Sequence, residues 1–169
     1  MFYRTKNMQQ LWSRSRMLAC GLVLSGGLWA TAAFAASSTN TLTVNATVNG
    51  TCKFVSTTST LAFGAIDPSG TSAATASTTT AYRCTTGTTA SVSKDDGLNP
   101  SGVGVPRLSD GSSHFMPYAL TLTGGTQVGT GHGAGQDKTL TVGGSIAVTD
   151  FQNAPAGAYV DTVTLTITP

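Results

Sequence analysis

The chain contains no glutamate. Its seven acidic residues are all aspartate, and charged residues make up only 9% of 169 positions, against a usual ~25%. Without Glu and with few Lys and Arg, the composition is short of strong helix formers. The Thr and Ser that dominate its polar positions suit strands with hydroxyl-rich outer faces. Cysteine is nearly absent, at three residues, and their spacing fits no zinc site. The apolar run MLACGLVLSGGLWA at 17–30 is too short and wrongly flanked for a membrane span.

What that run does fit is a secretory signal. Arg4, Lys6, Arg14 and Arg16 precede it, and TAAFA follows with Ala33 and Ala35 in the small-residue pattern of a cleavage site. Residues 1–35 are therefore expected to be removed by a cut between Ala35 and Ala36. No apolar run precedes Cys20, which argues against lipid attachment there. The remaining 36–169 keeps five of the nine Lys and Arg and all seven Asp, a net charge of −2. The basic balance of the whole sequence thus belongs to the signal, and nothing basic is left to hold nucleic acid or another polyanion. No stable membrane insertion is expected after cleavage. At this length one domain is the default.

Cys52 and Cys84 are the cysteines that remain. In an oxidising compartment a single intramolecular disulfide is the simple arithmetic, and it contributes ~3–4 kcal/mol in the chain-entropy model.

Strand-sized runs recur along the chain with turn residues between them and no helical period. TLTVNATV at 41–48 alternates, with Leu42, Val44, Ala46 and Val48 on one face. LAFGAIDP (61–68) is a short apolar run, and a Ser/Thr/Ala stretch leads from it to AYRC (81–84) and TASVS (89–93). GVPRL (104–108) and PYALTL (117–122) flank the turn SDGSS, with Pro117 pushing the second strand to an edge or a late start. A Gly-rich loop at 124–135 precedes DKTLTVGGSIAV (137–148). From Tyr159 onward Val163, Leu165 and Ile167 alternate with Thr162, Thr164, Thr166 and Thr168, the signature of a half-buried strand. The pattern predicts an all-β antiparallel sandwich. A final strand this regular needs a partner along each edge or exposes a row of N–H and C=O groups.

Motifs for chemistry are weak. His114 and His132 lie in Ser/Gly-rich loops without carboxylates or cysteines at ligand spacing, so surface positions are expected and no metal or cofactor. GTGHGAG (129–135) is not followed directly by Lys-Ser/Thr and opens no helix, which leaves it a loop rather than a phosphate site. SDGSSH brings Ser, Asp and His together, but no Gly-x-Ser-x-Gly elbow exists, and a hairpin tip is expected. Asp95-Asp96-Gly97 lacks the acid spacing of a calcium loop. No catalytic residue is expected, and the chain is read as a non-enzyme.

The stretches NATVNGTC, LAFGAIDP, RLSDGS, DKTLTVGGSI and PAGAYVDTVTLTITP, in this order after a signal peptide, resemble the spore coat protein U domain family, which includes subunits of archaic chaperone-usher pili. The resemblance covers nearly all of the mature chain. It implies an immunoglobulin-like sandwich (52–169) lacking its final strand and completed by donor strand exchange. A periplasmic chaperone would lend a strand first, and the N-terminal segment of a neighbouring pilin subunit would replace it at an outer-membrane usher. On that reading 36–51 is the donor segment, with Leu42, Val44, Ala46 and Val48 as its inward face, and Val163, Leu165 and Ile167 line the acceptor groove. The product would be a surface fibre serving adhesion or biofilm formation.

Two other readings are open to the sequence. In one, 41–48 is the domain's own first strand and the protein is a self-contained secreted or coat-type sandwich. Only Asn49, Gly50 and Thr51 separate that segment from Cys52, too few residues for it to serve both roles. The other, a secreted hydrolase on the same scaffold, has no motif in its favour.

Overall fold

The computed structural model describes residues 35–169, so the expected signal lies outside it except for Ala35. Two units divide as Met1–Val44 and Asn45–Pro169. Of the first, residues 35–44 form no regular secondary structure and are exposed. The second begins in the same way, and from Cys52 onward it is an antiparallel, immunoglobulin-like β-sandwich.

Its strands are β1 (Cys52–Phe54), β2 (Ala74–Cys84), β3 (Ser91–Lys94), β4 (Arg107–Ser109), β5 (Phe115–Pro117), β6 (Ala119–Thr123), β7 (Lys138–Ile146) and β8 (Leu165–Thr168). The larger sheet has the order β1-β2-β7-β6, and the facing layer holds the pair β3-β8 and the hairpin β4-β5. Pro117 closes β5, and β6 starts two residues later at a sheet edge.

The backbone of the larger sheet is the β2–β7 ladder, which runs from Ala74↔Ile146 to Tyr82↔Lys138. The Ser/Thr/Ala stretch expected as a lead-in forms the first part of β2. Thr75, Ser77 and Thr79 face water, and Ala74, Ala76, Thr78 and Thr80 face inward. Small inward side chains leave room for a second layer close to the sheet. Opposite Ala76 stands Gly144, where a Cβ would come within 2.6 Å of Leu61 and 2.8 Å of Phe63. The bare backbone therefore lets the non-strand run 61–63 lie directly on β7.

Two apolar clusters occupy the two ends of the sandwich. Tyr82, Cys84, Ala90, Leu140 and Val142 form one, and Met116, Tyr118, Ile146 and Phe151 form the other. Phe151 arrives on a single helical turn, Val148–Phe151, which strand patterning did not anticipate. The final strand is shorter than its alternation predicts. Val160 makes a separate two-way bridge to Ser109, each N–H donating to the other's carbonyl at 2.9 Å, and regular pairing resumes only at Leu165.

Candidate functional site

The hydrogen bonds of β3 fix which way β8 faces. Val92 N–H donates to the Gly125 carbonyl and Ala90 N–H to that of Gln127, so Val92 turns its backbone away from β8. Val92↔Ile167 is accordingly a non-hydrogen-bonded pair. Asp95 N–H donates to the Thr164 carbonyl, which places Thr164, Thr166 and Thr168 on the bonded side. Val163, Leu165 and Ile167 then direct their backbone groups to the outer edge. Among the described residues no strand pairs with that edge. The same three side chains are half-buried while the threonines are exposed.

A second free edge lies nearby. Thr85 N–H donates to the Thr51 carbonyl at 2.9 Å and Val55 N–H to that of Ala81 at 2.8 Å. The backbone groups of Cys52 and Phe54 therefore point away from β2, and β1 ends its sheet. β1 and β8 approach one another, and Cys52, Phe54, Leu165 and Ile167 all pack on the first core cluster. The Cys52–Cys84 disulfide joins directly opposed residues whose Cα atoms are 4.1 Å apart, as the cysteine count implies.

Farther back along the same edge of β8 the core is open. A cavity of about 140 Å³ is lined by Leu61, Phe63, Leu108, Leu120, Val163 and Leu165, among others. It shares Leu61, Phe63, Leu108 and Asp161 with a cleft of about 710 Å³ running between 60–68 and 154–161. Ile167 lies beyond the cavity, against the first cluster. Together these form an apolar groove with the row Tyr159, Asp161, Val163, Leu165 and Ile167 along one wall.

Asp161 is the one charged residue on either lining. Its Oδ2 accepts from the Tyr118 hydroxyl at 2.6 Å, and its Oδ1 accepts from Leu98 N–H at 2.9 Å. Burial, reinforced by this carboxylate, pushes the Tyr118 phenol far above its ordinary range, so it stays a donor. Gly97, at φ 75°, would place a Cβ 2.0 Å from Oδ2, so only glycine fits beside this carboxylate. Asp95 serves the same segment. Its Oδ1 accepts from Thr164 N–H at 2.9 Å and Gly97 N–H at 3.0 Å, and these bonds hold its carboxyl below the usual range.

Leu42, Val44 and Val48 are 82%, 82% and 83% exposed, and Ala46 is exposed as well. The root of the segment is held: Thr51 N–H donates to Thr85 Oγ1 at 3.1 Å, and Thr85 Oγ1 donates to the Asn49 carbonyl at 3.2 Å. His132 Nε2 lies 3.2 Å from Thr51 Oγ1. The Gly-rich loop that carries it is tied down, with Gly131 N–H donating to the Cys84 carbonyl. At the β4–β5 tip His114 Nδ1 meets Asp110 Oδ2 at 2.6 Å. Among the described residues no serine hydroxyl bonds the other nitrogen of His114, and no three His, Cys, Asp or Glu residues gather as metal donors.

The apolar run at 61–63 and Asp161 were not among the expected site residues. The first carries its own period-2 signal in Leu61 and Phe63. The second shows in the sequence as the charged break in the row from Tyr159 to Ile167.

The profile of the Spore Coat Protein U domain matches residues 38–166. The chain belongs to that family. Among solved structures it is similar to the CsuC-CsuE chaperone-tip adhesion subunit pre-assembly complex from archaic chaperone-usher Csu pili of Acinetobacter baumannii. The match has 21% identity, covers 72% of this chain and has a TM-score of 0.46. This chain spans 40% of the length of the chain it matches there. No curated protein matches.

Proposed function

We propose that this domain is a structural subunit of a secreted surface fibre, an archaic-type pilin completed by a strand from a second copy. The observation that carries the reading is the free outer edge of β8 beside the open apolar groove lined by Leu61, Phe63, Val163 and Leu165. A strand laid there would take main-chain bonds from Leu165 and Ile167 and side-chain pockets from the open core, which is recognition by strand addition. Family membership supports it, and so does the exposed alternating segment 41–48, which forms no strand. That last feature also disfavours the self-contained sandwich.

Energetics permit a durable joint. Burying Leu42, Val44 and Val48 contributes on the order of 5 kcal/mol or more, and each main-chain bond adds ~1 kcal/mol, before the cost of ordering the tail. A subunit with an open groove needs cover before assembly, so a periplasmic chaperone and an outer-membrane usher are its proposed partners. Adhesion or biofilm formation is the proposed use of the fibre, and no reaction is assigned.

Deleting 36–48 tests the reading. The truncated protein should be recovered as a monomer with its chaperone, should form no polymer, and should take up a synthetic peptide of residues 39–49. A native protein that runs as a stable monomer and ignores the peptide would refute it.

A further inference from the structure

Alternation decides which face of an inserted strand turns inward, because a one-residue slip reverses every side chain. A two-residue slip keeps the face, so alternation alone leaves the register open. Resting on the reading above, the groove offers a second determinant. Its wall reads Tyr159, Asp161, Val163, Leu165, Ile167, apolar except at Asp161, and the inward row of the tail reads Leu42, Val44, Ala46, Val48, branched except at Ala46.

We propose that Asp161 sets the register of the inserted strand by admitting only the small side chain of Ala46 from the neighbouring copy. The carboxylate is held by Tyr118 and Leu98 and walled by Gly97, so it has nowhere to rotate. A branched aliphatic chain pressed on it would strip water from its remaining lone pairs without replacing the hydrogen bonds. A methyl group leaves room for that water.

With the strands antiparallel and Ala46 facing Asp161, Val44 faces Val163, Leu42 faces Leu165 and Val48 faces Tyr159. A slip of two residues in either direction puts Val44 or Val48 on the carboxylate. In a parallel alignment Val48 would face Val163 and Gly50 would face Leu165, leaving Leu42 outside the groove. With Ala46 held at Asp161, only the antiparallel alignment uses all four tail side chains.

That polarity also suits an open fibre. The tail root at Thr51 bonds Thr85, whose carbonyl accepts from Thr88 N–H, and Ser91 pairs with Thr168. The tail thus leaves at the end where β8 finishes. An antiparallel insert brings its own domain to the opposite end, beside Tyr159, so successive copies extend in line.

Cysteine pairs in the full-length chain test the register. Chains carrying Leu42→Cys with Leu165→Cys, or Val44→Cys with Val163→Cys, should give a covalent ladder on non-reducing gels. The slipped pairs, Val44→Cys with Leu165→Cys and Leu42→Cys with Val163→Cys, should not. Separately, Ala46→Leu in the otherwise native chain should reduce polymer yield at least about tenfold, with folding unaffected because the position is exposed in the free subunit. Ladders from the slipped pairs, or full assembly of Ala46→Leu, would overturn the assignment while leaving strand addition intact. No oligomer from any chain, the native one included, would overturn strand addition itself and this inference with it.

Discussion

Asp95 closes the β3–β8 ladder from both directions: its N–H donates to the Thr164 carbonyl at 3.1 Å, and its carboxylate accepts from the Thr164 N–H at 2.9 Å. Where regular pairing stops, this side chain substitutes for the missing backbone acceptor. The bonds hold its pKa below the ordinary carboxylate range. A depressed folded-state pKa means stability that is present above the unfolded value and lost as pH falls through the folded one.

Asp95→Asn should therefore melt below the native protein at neutral pH, since a neutral acceptor replaces a charge-assisted one. The difference should shrink in acid, as the native carboxyl takes up its proton. Thermal melts of both proteins across the acid range check this. A gap of constant size would mean that the carboxylate charge contributes nothing at this position.

The disulfide closes a separation of 32 residues across opposed strands. The chain-entropy model assigns it ~3–4 kcal/mol, a large part of the margin of a small domain. Replacing both cysteines by alanine, which avoids burying a serine hydroxyl at Cys84, should lower the secreted yield sharply and move the urea midpoint down accordingly. Unchanged stability would show that β1 is held by packing alone.

The parts legible in the sequence were those set by local pattern. The alternation of Val163, Leu165 and Ile167 with threonines separates the half-buried side chains from the exposed ones, and the pairing of Cys52 with Cys84 followed from counting. β2 was read too short because Ala74–Thr80 offers no apolar alternation. Its inward residues are small, and what makes them a strand is the ladder to β7, sixty or more positions away in the sequence. The final strand was read too long for a related reason. Its middle is bonded by Asp95 and to Leu98, partners 69 and 63 residues distant, and no local signal announces contacts of that range.

Gly144 separates groove effects from fold effects. A Cβ there meets the ends of the Leu61 and Phe63 side chains rather than backbone, so the expected response is rotation of those chains into the groove. Gly144→Ala should shift the melting temperature little, the cost of losing glycine's close approach being offset by better strand propensity. Uptake of the 39–49 peptide should fall clearly. If stability drops in proportion to uptake, the contact with 61–63 supports the core and not the groove.

The last prediction sets the two faces of β8 against each other. Leu165 is half-buried on the groove wall and directs its backbone to the free edge, whereas Thr166 is exposed and bonded toward β3. Leu165→Asp would place an unpaired carboxylate where, under the proposed strand addition, an inserted leucine or valine would settle, at a cost of several kcal/mol. Assembly should be abolished, because that cost is comparable with the whole apolar contribution of the tail. Thr166→Asp puts the same charge in water, one residue away, and is a closer control than Thr164→Asp, which would bring a second carboxylate toward Asp95. It should leave polymer yield near native. Equal loss in both variants would mean that charge on β8, and not the face it occupies, governs assembly. The groove would then lie on the other side of the strand.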